Sequence, residues 1–308
     1  MTNRKYSAHG GENGGAPGQS SGGAGGPDKS SDTKLQDMIA ALTDQFTVLT
    51  YTDEATGLSV DYNLFLPEDY DPSNFYPMVV FIGDSTTTGD DPSVSLTQGW
   101  GGLVWASEEE QAKHACIVLV PSFPVTILDD NDGAYTTTEY VDLVPDLIAS
   151  VEDAYAVDSD RIYATGQSMG CMTMLITASQ NPDLFAAELF VDGQWDITSL
   201  SGLSSQKFFY VAAKGDQKAY AGQTEVKNML EGDGLSYASV TELETVNAAI
   251  EQVVDEGSDW NFVTWAEGTV LPEDADASGM GASEHMAAFD YAYKFSAIRD
   301  WLFAQSKG

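Results

Sequence analysis

The chain predicts an α/β fold, with a mostly parallel central sheet, helices on both faces and antiparallel strands at its N-terminal end. Three observations predict it. Met78-Val-Val-Phe-Ile82 and Cys116-Ile-Val-Leu-Val120 are short, uninterrupted apolar runs of the kind found in strands covered on both faces. Before them, Phe46–Tyr51 and Leu58–Leu66 alternate apolar and polar residues, as half-exposed antiparallel strands do, around a turn at 54–57. After them, strand-like runs alternate with segments of helical character, the order of a parallel sheet wound through crossover helices.

In chain order, residues 1–33 are rich in Gly, Ser, Asn and Pro and have almost nothing to bury, so they are expected to form a flexible tether ahead of one folded domain over 34–308. Such a composition is typical of the spacer behind a removed leader or lipid anchor, and a secreted or cell-envelope-tethered location is the corresponding expectation. Leu35, Met38, Ile39 and Leu42 mark a short helix within 34–46, and Pro67-Glu-Asp-Tyr-Asp-Pro72 ends the antiparallel pair. A helix is expected from about Thr136 to Tyr155, with Thr136 and Glu139 as a capping box. Ile162–Thr165 reads as a buried strand, followed by strands at Phe185–Val191, Lys207–Ala213 and Asn261–Trp265. Helices are expected from Met169 onward and at about 224–230, 241–255 and 285–304.

Composition bounds the function. Forty-eight acidic residues against 13 basic ones give a net charge of −35, which argues against nucleic acid or anionic membrane as a partner, because phosphate binding needs clustered cations; solubility is the simpler reading of the charge. No apolar run approaches the ~18 residues of a membrane helix, so no membrane span is expected. Cys116 and Cys171 lie in apolar settings and read as small buried hydrophobes, not as a disulfide framework.

The chemistry gathers at Gly166-Gln-Ser-Met-Gly170. A G-x-S-x-G run between a strand and a helix forces its serine into a strained turn that lifts the hydroxyl above the sheet, and places the following amide, here Met169, to stabilise an oxyanion. Gly18-Gln-Ser-Ser-Gly22 repeats the spacing, but no strand precedes it and no apolar helix follows. Ser168 needs an imidazole to take its proton and a carboxylate to orient that imidazole. Of three histidines, His9 lies in the tether and His114 ends a helix leading into a core strand, where capping of carbonyls is the simpler role. His285 lies in the loop Gly279-Met-Gly-Ala-Ser-Glu-His285 that opens the last helix, which makes it the base. Asp216, in Ala-Lys-Gly-Asp216 after the strand 207–213, is the favoured acid; Asp192, after the preceding strand, competes with it.

The run Asp160-Arg-Ile-Tyr-Ala-Thr-Gly-Gln-Ser-Met-Gly170 resembles the serine motif of the α/β-hydrolase superfamily, in particular bacterial esterases of the polyhydroxybutyrate-depolymerase and feruloyl-esterase-like group. The resemblance extends over about 46–305 and implies hydrolysis of a carboxylic ester through an acyl-enzyme, with no cofactor. The chain departs from the group after its third strand, where many relatives carry His-Gly and this sequence reads Phe81-Ile-Gly-Asp-Ser85. The second oxyanion donor is then the amide of Ser85 or Asp84, and the aspartate must turn its charge away.

Only residues 192–206 separate two successive strands where covering caps usually sit, so little or no cap is expected, and an open site suits a bulky small-molecule or polymer-linked ester, such as a phenolic ester or a polyester chain end. Trp195, Tyr220 and Gln167 are the substrate-binding candidates, with Trp100 and Trp105 as further loop aromatics that could equally pack onto the body. Asp129-Asp-Asn-Asp-Gly133 suggests a calcium loop, but Leu128 occupies the first ligand position, so a solvated turn and no metal are expected. A peptidase or acyltransferase on the same three residues, or a non-catalytic surface-binding protein with this fold, remain the alternatives to an esterase.

Overall fold

A computed structural model describes residues 28–245, 250–271 and 283–307. The described part runs α1 (Thr33–Leu42), β1 (Thr47–Thr52), β2 (Ser59–Phe65), β3 (Tyr76–Ile82), α2 (Val94–Thr97), α3 (Trp100–Leu103), α4 (Glu108–Lys113) and β4 (Ile117–Ser122). A small hairpin follows, β5 (Leu128–Asp129) and β6 (Thr136–Thr137), then α5 (Glu139–Ala154), β7 (Val157–Gln167), α6 (Met169–Gln180), β8 (Ala187–Val191) and β9 (Phe208–Ala213). The chain continues through α7 (Gln217–Gly232), β10 (Ala238–Leu243), α8 (Glu251–Asp255), β11 (Trp260–Trp265), α9 (Glu284–Lys294) and α10 (Ser296–Phe303).

Among the described residues, nine strands form one sheet in the order β1-β2-β4-β3-β7-β8-β9-β11-β10. β1 pairs with β2, and β2 with β4, antiparallel; every other pairing is parallel. This is the expected α/β-hydrolase architecture. Successive side chains of each strand alternate between two cores. Val79, Phe81, Tyr163, Leu189, Phe209 and Val263 pack under α1, α3, α9 and α10, while Met78, Val80, Ile162, Phe190, Phe208 and Phe262 pack under α5, α6 and α7. Because the parallel strands share one direction, the carboxyl ends of β3, β7, β9 and β11 open on the same edge, where ligands bind in sheets of this kind.

Several expectations about local structure are corrected. Thr136 does not cap α5, because it is paired in the hairpin opposite Asp129; the helix starts at Glu139, and the preceding Thr138 donates its hydroxyl to the Ile127 carbonyl at 3.1 Å. The helix expected over 241–255 begins instead as the parallel edge strand β10, whose Val240 pairs with Val263, and only 251–255 is helical; 246–249 lie outside the described residues. The helix expected over 285–304 breaks at Phe295, whose ring leaves the helical path to stack on Trp265, centroids 5.8 Å apart. The helix expected at 224–230 is longer, starting at Gln217.

Most of the expected tether, with His9 and Gly18–Gly22, lies outside the described residues. Its end, 28–32, is tied down: Lys29 pairs with Asp290 at 2.8 Å, and the Asp32 carboxylate accepts from Leu35 N, Trp100 Nε1 and Lys294 Nζ. Both cysteines are free and buried, as their apolar settings indicate.

Glu188 is an anomaly of the core. It lies fully buried on β8, with no hydrogen-bond partner on either carboxylate oxygen among the described residues. Burial alone pushes its pKa well above the ordinary range, so the group folds in its neutral form. A carboxyl whose folded pKa is raised costs nothing below its unfolded pKa and destabilises increasingly as pH rises from there toward the folded value. Glu188→Gln is therefore expected to stabilise the protein at pH 7 by more than about 1 kcal/mol, with the gain shrinking as pH falls from 7 and gone below ~4. Urea unfolding at pH 7 and pH 3.5 measures it; an equal effect at both would contradict the titration argument.

Candidate active site

The serine turn is fixed by two close approaches. A Cβ at Gly166 would lie 2.4 Å from the Gly170 carbonyl carbon, and one at Gly170 would lie 1.9 Å from the Ile82 carbonyl oxygen, so α6 descends onto β3 and β7 only because both positions lack side chains. Ser168, between them, takes φ 50° and ψ −115°, a left-handed conformation that costs a non-glycine residue roughly 1–3 kcal/mol. Its hydroxyl stands at the carboxyl edge of the sheet. The amide of Met169 is in the first turn of α6, where backbone N–H groups have no partner within the helix.

Two further segments meet it there. His285 Nε2 lies 2.8 Å from Ser168 Oγ, and His285 Nδ1 lies 2.5 Å from Asp216 Oδ2. The other oxygen of Asp216 accepts the Ala219 amide at 3.2 Å and so caps α7, which fixes the carboxylate's direction. Phe289, one helical turn beyond His285, packs edge-on against the imidazole with centroids 4.9 Å apart. With hydrogen on Nδ1 directed at Asp216, the Nε2 lone pair faces the serine hydroxyl, the arrangement that lets imidazole take a proton from it.

Asp192, the rival acid, is placed otherwise. It sits behind the site at φ 42°, fully buried, with Oδ1 accepting the Ala213 amide at 2.8 Å and no bond to His285. Burial first, and then the charge of Asp216, push its pKa well above the carboxyl range, so it is held neutral beside the acid that touches the histidine.

The loop after β3 resolves the problem of the aspartate. Asp84 is buried; Oδ1 accepts from the Thr86 amide and hydroxyl at 2.8 and 2.6 Å, while Oδ2 accepts from Gln167 Nε2 at 3.0 Å and from Gln98 Nε2. Gln167 also donates to Gln98 Oε1 at 2.9 Å. The two amides turn the charge under the loop, and Ser85 is left as the residue facing the cleft.

That cleft, about 420 Å³, is lined by Ser168, Met169, Met172 and Ser85 on one side and by the β5–β6 hairpin with its flanks, including Thr126, Asp129, Asp130, Asn131 and Thr138, on the other. The hairpin is moored across the site: Asp130 Oδ2 accepts from Lys218 Nζ at 3.0 Å and from Gln194 Nε2. The acidic run read as a solvated turn thus forms a wall of the cleft, and one of its carboxylates is paired with a lysine.

The match to known proteins follows this geometry. Residues 54–193 match the family model Esterase, described as "Putative esterase". Over that stretch the chain is similar to the Esterase family, and its fold is that of an α/β-hydrolase. Comparison with curated proteins finds no match. Among solved structures, a thermostable esterase is 22% identical with a TM-score of 0.69; the match covers 86% of this chain, which spans only 64% of that protein's length. The feruloyl esterase module from Clostridium thermocellum, solved as a mutant with sinapinate, is 15% identical, TM-score 0.52, over 82% of this chain and 88% of that one. An S-formylglutathione hydrolase from Staphylococcus aureus is 14% identical, TM-score 0.53, over 83% of this chain and 98% of that one. At these identities the likeness is one of fold.

Other expectations for the site are revised. Gln167 does not contact substrate space, since it is buried and its amide is spent on Asp84 and Gln98. Trp195 is buried against Tyr135, ring centroids 5.1 Å apart, and neither it nor the half-buried Tyr220 lines the cleft. Trp100 and Trp105 are buried among the helices between β3 and β4, so the aromatic wall is replaced by threonines, Asn131 and the methionines. His114 caps no carbonyl; it bonds Asp300 at 2.9 Å and stacks on Phe303. Glu110, His114 and Asp300 converge within 4.8 Å, but Arg299 pairs with Glu110 at 2.6 Å and Lys113 with Asp300 at 3.6 Å, so resident cations already serve the two carboxylates. Gln98 and Glu284, which bond to the loops of the site, carry no sequence signal beyond being polar residues among apolar ones.

The two acids give a direct contrast. Asp216→Asn is expected to lower kcat by ~10³–10⁴-fold, the loss typical when a serine–histidine pair loses its orienting carboxylate, whereas Asp192→Asn is expected to stay within about tenfold of wild type. Steady-state kinetics on an aryl acetate with both variants checks this, and the reverse order would make Asp192 the acid.

Proposed function

We propose that this chain hydrolyses carboxylic esters through an acyl-enzyme, with Ser168 as nucleophile, His285 as general base and acid, and Asp216 as the orienting carboxylate. One observation carries the reading: the unbroken chain Ser168 Oγ, His285, Asp216 at the edge of an open cleft. As Ser168 Oγ attacks the ester carbonyl, His285 Nε2 takes its proton, and Asp216 stabilises the imidazolium through Nδ1–H. The amides of Met169 and Ser85 donate to the oxygen on which charge develops. Collapse of the tetrahedral species expels the alcohol, which takes the proton from Nε2. Water then attacks the acyl group, delivering its proton to Nε2, and Ser168 leaves with that proton.

The wall opposite the serine favours a bulky ester that is polar but carries no negative charge, such as a phenolic or feruloyl ester or a polyester end. The cleft offers hydroxyls, amides and carboxylates and, along its lining, no cation. Likeness to the feruloyl esterase module supports an aromatic acyl group. The same lining speaks against anionic thioesters of the kind handled by an S-formylglutathione hydrolase, because a carboxylate of the substrate would meet Asp129 across the cleft. Peptidase or acyltransferase action would use the same residues with a different leaving group or acceptor.

Wild-type protein is expected to react with a fluorophosphonate probe and Ser168→Ala is not; wild-type protein that fails to label would sink the enzyme reading. Within a panel of aryl, feruloyl and acetyl esters and peptide anilides, neutral esters are expected to turn over fastest. A 4-nitrophenyl hemisuccinate should have kcat/KM about tenfold or more below the acetate, roughly 1.4 kcal/mol of discrimination, and Asp129→Asn should narrow that gap. Cleavage of the anilides alone would refute the ester preference.

A further inference from the structure

We infer that Glu284 is a positioning residue for the acid and the base of this site: its carboxylate locks the loops carrying Asp216 and His285 into one register. The inference rests on the proposed hydrolase reading and adds a component to it. Glu284 is the first residue of α9 and immediately precedes His285. Oε2 accepts the amide of Gly215, the neighbour of Asp216, at 3.1 Å, and Oε1 accepts the amide of Gly268, beyond the end of β11, at 2.7 Å. One carboxylate therefore joins three segments: the exit of β9, the exit of β11 and the start of the helix that presents the base.

A glutamate at a helix start is often no more than a partner for the helix dipole, and in that role its oxygens face water. Glu284 is 8% exposed, and both oxygens are occupied by amides of other segments. The packing is also built around it. A Cβ at Gly215 would fall 2.0 Å from Glu284 Oε1, so position 215 has to be glycine for the carboxylate to reach the amide, although its backbone is not left-handed. The bond from His285 to Asp216 spans two loops separated by 69 residues. The clamp bridges that separation directly, through the amides of Gly215 and Gly268. Displacing a reacting group by about 1 Å can cost on the order of 10²-fold in rate, so slack at this clamp should be read in the chemical step before it is read in binding.

Three variants test it: Glu284→Gln, Gly215→Ala, and Gly215→Ala placed on Glu284→Ala. Glutamine keeps the volume but sets an N–H₂ against a backbone N–H, losing one of the two bonds. The Gly215 methyl pushes the carboxylate away but finds room once Glu284 is truncated. Expected for Glu284→Gln and for Gly215→Ala is a fall of about 10–100-fold in kcat on 4-nitrophenyl acetate and in the rate of fluorophosphonate labelling of Ser168, with KM changed less than about threefold. Gly215→Ala should cost less than about threefold further once Glu284 is already alanine. Unchanged kcat and labelling in both single variants would overturn the inference, as would a Gly215→Ala penalty of the same size with and without Glu284. The two failures are distinguishable: a wild-type protein that does not label defeats the hydrolase reading itself, whereas normal labelling of wild type and of Glu284→Gln, lost only in Ser168→Ala, defeats the clamp alone.

Discussion

The structure depends on one steric constraint, the contact of α6 with the ends of β3 and β7. Gly170 rests against the Ile82 carbonyl, and Gly166 against Gly170, with no space for a methyl group at either place. That contact sets the pitch at which the chain turns from strand to helix, and the turn forces Ser168 to a positive φ. Strain of this order is sustained because α6 is buried from Met169 to Ala178, so relaxing the turn would pull an entire helix out of the core. The placing of the Ser168 hydroxyl and of the Met169 amide and the distance to His285 all inherit their precision from that packing.

A protein with 48 acidic and 13 basic residues has few cations to spend on buried carboxylates. Around the site it uses other means. Asp84 is surrounded by the amides of Gln98 and Gln167 and by Thr86; Glu284 by two backbone amides; Asp216 by an imidazole and a helix-start amide. Asp192 is held neutral by burial and by its neighbour's charge. Away from the site, Glu110 receives a guanidinium, from Arg299, and Asp290 an ammonium, from Lys29. Neutral donors hold Asp84, Asp216 and Glu284 in fixed directions, and Lys218, at the cleft wall, is paired with Asp130.

The sequence made the sheet legible because buried parallel strands have a strong signature, and the runs at 78–82 and 116–120 are among the central strands. It also named Ser168, His285 and Asp216, since glycine spacing, a shortage of histidines and position after a strand each narrow the choice, and the structure brings these three into contact. Other features depend on long-range packing. Residues 238–243 form an edge strand only because β11 offers its side, and the helix 285–304 breaks because Phe295 finds Trp265. The functions of Gln98, Gln167 and Glu284 are set by partners 14 to 83 residues away, which no local pattern encodes.

The hairpin that walls the cleft lies in a connection outside the nine-stranded sheet, between β4 and α5, and bears none of the three side chains proposed to carry out the reaction. Entropic penalties for lengthening such a surface excursion rise only with the logarithm of its size. Divergence of ligand preference in this architecture can consequently proceed by exchange of the thirteen residues at 126–138, while Ser168, His285, Asp216 and the sheet are inherited intact; grafting that segment between homologues offers a compact route to redirecting what the scaffold accepts.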